Sequence, residues 1–169
     1  MANKNGFTLV ELLVVVAIIS ITMAIGLPSF QSTISSTRLT AAANAMVSAL
    51  QLARFEAIKQ RKSVVVIKKT TWENGIKKTT WENGWDVFID SKIPANNKQD
   101  LPAEPTLAAF DALSSTITIT ATYANYVNYG ANGQVNDNGH FTFCSANDFR
   151  KVVIAATGRI HIETPASCS

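Results

Sequence analysis

Hydrophobic residues follow different rules in different parts of this chain. From Phe7 to Leu27 they are almost continuous, and Glu11 is the one ionisable side chain in the run. From Phe30 onward they recur at helical spacing, at Phe30, Ile34, Leu39, Ala42, Met46, Leu50, Ala53 and Ala57. Gln31, Arg38, Asn44, Gln51 and Arg54 fill the other faces. The two stretches together predict one long helix from Phe7 to about Lys59, ended by Gln60-Arg61-Lys62-Ser63. The second half carries a stripe suited to packing on a sheet. The first half is apolar on every side, so it has no partner in a monomer and must bury itself in lipid or against neighbouring subunits.

Beyond Ser63 the pattern changes to that of strands. Val64-Val-Val-Ile67 is β-branched throughout, as in a strand buried on both faces. Trp85 to Asp90, Thr116 to Thr120, His140 to Cys144, Lys151 to Ala155 and Arg159 to Ile162 alternate apolar and polar residues. Gly139 and Thr157-Gly158 mark turns, and the proline-rich stretch from Ser91 to Pro105 reads as an exposed loop. The prediction is an α+β chain: a long N-terminal helix, its second half wrapped by an antiparallel sheet of about six or seven strands.

A nonapeptide, Ile67 to Gly75, is repeated without change as Ile76 to Gly84. Asn74-Gly75 and Asn83-Gly84 are both strong type I′ turn signals. A two-residue turn at Asn74-Gly75 pairs Glu73 with Ile76, Trp72 with Lys77 and Lys68 with Trp81. Both tryptophans then share a face with Lys68, Lys77, Thr70 and Thr79, where lysine can sit over an indole ring. Two explanations stand: a tandem duplication that lengthened a hairpin, or a projecting Trp/Lys surface for a partner, glycan or nucleic acid.

Composition narrows the class. The chain is 47% hydrophobic and 16% charged, with a net charge of +3. Its shortage of charge is local to the N-terminal run, which excludes disordered, collagen-like and polytopic membrane classes. A charge of +3 is too small to argue for nucleic acid by itself. Cys144 and Cys168 are too few for a zinc site built from cysteines. His140 and His161 lack metal-ligand spacing, and there is neither a nucleophile elbow nor a phosphate-binding loop. The Asn132 to Gly139 stretch lacks the carboxylates of a calcium loop. No catalytic residue, metal ligand or cofactor is assigned.

The N-terminal run carries the most specific chemistry. Its 21 residues span about 31 Å as a helix, enough for a hydrocarbon layer of ~30 Å. Lys4 favours a cytoplasmic start. A secretory signal fits poorly, because the small residue Gly6 precedes the apolar core instead of following it. Glu11 is costly in such a setting and is therefore a functional candidate. It reads either as an interfacial anchor or as the partner of a positive charge. Cleavage after Gly6 would supply that charge as an α-amino group on Phe7, at the i,i+4 spacing from Glu11 or facing a neighbour's Glu11.

Gly6-Phe7-Thr8-Leu9-Val10-Glu11 resembles the class III leader of type IV prepilins and type II secretion pseudopilins. The resemblance implies cleavage between Gly6 and Phe7 by a prepilin peptidase, N-methylation of Phe7, and a role for Glu11 in filament assembly. It also implies a helix kink at Gly26 and Pro28. Residues 1–6 are then the leader, 7–28 the transmembrane and filament-core helix, 29–62 the amphipathic stem and 63–169 the head. The implied route is the inner membrane with the head in the periplasm, then the pilus at the cell surface. There Cys144 and Cys168 are expected to bridge, tying down the C-terminal tail.

Asn83 to Asp90, Gly139 to Cys144, Phe149 to Ala155 and Gly158-Arg159-Ile160 narrow the likeness to GspH/FimT-type minor pilins, and the C-terminal cysteine to FimU-like members. The implied function is a structural minor pilin near the pilus tip, with other minor pilins and the major pilin as partners. An H-type pseudopilin of a type II secretion system is the near alternative. The other is a DNA receptor, since some members bind DNA through Gly-Arg-x-Arg. Here that motif reads Gly158-Arg159-Ile160-His161, with Arg150 and Lys151 as further candidate contacts or simply a solvated strand face.

Overall fold

The computed structural model describes residues 7–91, 97–99, 104–146 and 148–168, with the side chains of 25–29 and 73 left undescribed. A single helix, α1, covers Leu9–Gln60, close to the predicted limits. Strands follow as β1 (Ser63–Lys68), β2 (Thr70–Glu73), β3 (Ile76–Thr79), β4 (Trp85–Asp90), β5 (Thr106–Phe110), β6 (Thr118–Ala121), β7 (Tyr126–Tyr129), β8 (Gly139–Ser145), β9 (Asp148–Ile154) and β10 (Ile160–Glu163). The chain divides into two compact units, Met1–Ser36 and Thr37–Ser169.

In the N-terminal unit every described side chain from Phe7 to Ala24 is exposed. The Ser20 hydroxyl donates to the Val16 carbonyl at 2.8 Å, and that of Thr22 to the Ile18 carbonyl, so both are satisfied within the helix. The helix continues through Gly26 and Pro28. Among the described residues no helix is long and apolar enough to cross a membrane. The fully described apolar stretch, Leu9 to Ala24, is shorter than the roughly 20 residues a span requires. The expected span, 7–28, takes in side chains that are not described.

In the second unit α1 buries Leu39, Ala42, Ala43, Met46, Ala49, Leu50, Ala53 and Ala57. These positions are three and four residues apart and so form one face of the helix. Five of them are alanines, which keep this face of the helix smooth. Phe30 and Ile34 belong to the other unit and are exposed. The predicted single sheet is instead two four-stranded sheets, ordered β5-β4-β1-β7 and β10-β9-β8-β6, plus a separate two-stranded β2-β3. All pairs are antiparallel. Val64, Val65 and Val66 are fully buried, as a strand covered on both faces requires.

Two strands were not anticipated. β5 and β7 are short edge strands, and β5 includes two alanines, so neither carries a clear alternation. The loop expected to be exposed between Ser91 and Pro105 is partly tied inward. The buried Asp90 carboxylate accepts from the Asn97 amide at 2.6 Å, and buried Glu104 accepts from the Ser91 amide at 2.7 Å.

The repeated nonapeptide folds in two ways. Its first copy enters β2, turns at Asn74-Gly75 with both φ angles positive, and pairs Trp72 with Lys77 and Glu73 with Ile76. The predicted Lys68–Trp81 pair does not form, because Lys68 pairs with Trp85. Trp81 lies in a 3₁₀ turn, Trp81–Asn83, and is buried edge-on to Phe141 with centroids 4.8 Å apart. Its indole N–H donates to the Tyr123 carbonyl at 2.9 Å. Trp72 is 72% exposed. Among the described residues the cation over an aromatic ring is Lys59 over Phe55, and neither Trp–Lys pair makes that contact.

Candidate functional site

The first candidate site is the start of α1. Thr8 precedes the helix and Glu11 sits three residues on, the spacing of a capping box. The Glu11 amide donates to Thr8 Oγ1 at 3.3 Å, while the Thr8 amide and hydroxyl approach Glu11 Oε2 at 3.4 Å. The carboxylate is thus turned back toward the N-terminal end of the helix, where the unpaired amides also favour negative charge. Phe7 is exposed beside it. Gly6 lies outside the described residues. Thr8 is a further residue of this site, signalled in the sequence by its three-residue spacing to Glu11.

The DNA-contact candidates do not all share one face: Lys151 and His161 lie on one side of the β9–β10 pair and Arg150 on the other. On β9, Arg150 points to the face of Val152 and Ile154, whereas Lys151 points to the other. Arg150 donates to the Phe149 carbonyl at 2.7 Å and lies 3.8 Å from the Asp148 carboxylate. His161 Nε2 is 2.9 Å from Glu163 Oε1. Lys151 stands opposite Glu163 in the β9–β10 register. Arg159 lines a surface recess with Gln51, Arg54, Phe55, Ile58 and Ile160. Of these four side chains, Arg150 and His161 lie within 4 Å of a carboxylate.

The electrostatics of the head are those of packing. Burial and the nearby Lys151 charge hold His140 below the usual histidine range, against an opposing pull from Glu163. Burial pushes the Tyr123 hydroxyl up to about 12, helped by Asp137, and raises Tyr129 further. Hydrogen bonds from Gln60 and Lys59 lower the Glu56 carboxyl. No group of three or more metal-ligating side chains occurs among the described residues.

Cys144 and Cys168 are joined by a disulfide, with Cα atoms 5.9 Å apart. The bridge fastens the segment after β10 to β8. Arg54 of α1 secures another turn, donating to the Thr157 carbonyl at 3.1 Å.

Comparison with known proteins places this architecture. A model of the family described as Type II transport protein GspH matches residues 42–158, and the prokaryotic N-terminal methylation motif matches residues 1–27. Two fimbrial proteins of Pseudomonas aeruginosa are each 45% identical over 65 residues, 38% of this chain. The chain spans 42% of the length of those relatives. Two crystal forms of the type IV minor pilin FimU of Pseudomonas aeruginosa share the fold at 22% identity. One has a TM-score of 0.60 over 79% of this chain and 96% of that one. The other has 0.57 over 77% and 99%. With its long helix, two antiparallel sheets and matched head, this chain belongs to the GspH family of minor pilins and pseudopilins, structural proteins that are not enzymes.

Proposed function

We propose that this chain is a minor type IV pilin of FimU-like character. A prepilin peptidase cuts it between Gly6 and Phe7, the Phe7 nitrogen is methylated, and the subunit waits in the inner membrane with its head in the periplasm. It then enters the filament near the tip, where the head meets other minor pilins and the major pilin and primes or caps assembly. The observation that carries this reading is the start of α1. Glu11 is folded back over the helix start, toward Thr8 three residues before it and Phe7 four before, on a helix whose described apolar side chains are all uncovered from Leu9 to Ala24. A new amine on Phe7 would arise beside that carboxylate, and neighbouring helices would cover the apolar surface.

Replacing Gly6 with a bulky residue tests this directly. Uncut precursor on a gel is the expected result, and a mature product of normal size would overturn the leader assignment. The description of the matching family model favours a second reading, an H-type pseudopilin of a type II secretion system. Crosslinking followed by identification of partners separates the two, since minor pilins are recovered in one case and secretion pseudopilins in the other. The DNA-receptor reading has less support, because Arg150 and Lys151 face opposite sides of β9 and Arg150 and His161 each sit beside a carboxylate.

A further inference from the structure

The hairpin β2–β3 belongs to neither four-stranded sheet and leaves Trp72 72% exposed. Trp81, the same residue in an identical nonapeptide, is 5% exposed and sits in the core. Folding therefore accounts for one indole and leaves the other unused. On the hairpin, Thr70, Trp72, Lys77 and Thr79 share a face, through the cross-strand pairs Thr70–Thr79 and Trp72–Lys77. The Thr70 and Thr79 hydroxyls lie 2.8 Å apart and line a recess of about 260 Å³. Lys68, Lys98, Asn125 and Tyr126 help to line it, and none of its lining residues is acidic. Among the described residues Lys68 and Lys77 have no carboxylate partner.

We propose that this recess and the Trp72 face of the hairpin bind an acidic saccharide. The recess is smaller than the roughly 300–1,000 Å³ of drug-sized pockets and suits a single pyranose ring. Threonine hydroxyls and the Asn125 amide match sugar hydroxyls. Lys68 matches a carboxylate. The next sugar along would lie on the indole of Trp72, whose flat apolar face and polar N–H fit the two kinds of surface on a pyranose. A folded protein partner is disfavoured, because a stable interface needs about 800 Å² per side with a packed apolar centre. Trp72 and half-covered Tyr126 are the large exposed rings near this recess. Every residue of this surface belongs to the second unit, whereas Phe7 and Glu11, on which the pilin reading rests, belong to the first.

The test uses the full chain in detergent micelles, titrated with a galacturonic acid tetrasaccharide by calorimetry and tryptophan fluorescence. A neutral galactose tetrasaccharide and an oligodeoxythymidylate of equal charge are the controls. The acidic saccharide is expected to bind in preference to both. Trp72→Ala, Lys68→Ala and Lys77→Ala should each weaken it at least about tenfold, while Ile76→Ala, on the opposite hairpin face, changes affinity less than about twofold. Lys77→Ala retains the indole, so it separates loss of charge from loss of the hairpin. Absence of binding, equal binding of the neutral sugar, preference for the oligonucleotide, or indifference to Trp72→Ala and Lys68→Ala would each overturn the proposal.

Discussion

Gly158 shows how one residue can fix a contact between distant parts of the chain. Its φ is 77°, and a Cβ there would run into the Gly133 carbonyl oxygen. The same turn accepts the Arg54 bond at Thr157, so helix and both turns close on one point. Gly158→Ala is expected to destabilise the head by more than about 1 kcal/mol, through backbone strain and loss of this approach. Urea unfolding of the two proteins checks it. His140 is the residue whose titration should be visible. Its folded pKa is lowered, so below the unfolded value of about 6.5 the unfolded chain binds more protons than the native one. Its contribution to stability is complete above that value and is lost as pH falls through it toward the folded value. Melting temperatures between pH 7.5 and 5 should fall less steeply in His140→Gln than in the parent, and equal slopes would reject the assignment.

At the scale of elements, the duplicated nonapeptide is an internal control on local propensity. One copy becomes strand, strand and type I′ turn; the other becomes strand and 3₁₀ turn. Local sequence is identical, so the difference arises from surroundings. Glu82 accepts from the Ile119 amide at 2.8 Å, and the Leu113 amide donates to the Glu82 carbonyl at 2.8 Å. Gly84 lies so close to Phe110 and Asp111 that no side chain fits, whereas a Cβ on Gly75 would meet nothing. Contacts to residues 110–119 thus draw the second copy into the core. Trp81→Ala should cost about 3–5 kcal/mol, as for other buried large aromatics. Trp72→Ala should stay within about 0.5 kcal/mol. Chemical denaturation of both variants measures the contrast, and similar losses would mean that Trp72 is packed.

For the whole molecule, the disulfide is the constraint that acts over the longest stretch of the C-terminal region. It closes a loop with a sequence separation of 24 between Cys144 and Cys168. On the chain-entropy account such a loop contributes about 3.5 kcal/mol, mainly by restricting the unfolded state. Cys168→Ser should lower the unfolding midpoint accordingly. The segment after β10 should also become the first site of protease attack, since a tail without a tether frays. An unchanged midpoint would show that the tail is held by packing alone.

Much of the architecture was written locally. Apolar spacing of three and four residues gave the helix from Leu39 to Ala57, because a side-chain stripe repeats with the helical turn. β-Branched and alternating runs gave β1, β4, β8, β9 and β10 for the corresponding reason in strands. The Gly6-to-Glu11 motif pointed to the family from short-range order alone. Tertiary structure decided what depends on partners distant in sequence. It split the strands into two sheets and placed β5 and β7 at edges. It also chose which tryptophan of two identical segments is buried, a decision that only long-range packing can make because each copy carries the same local preferences.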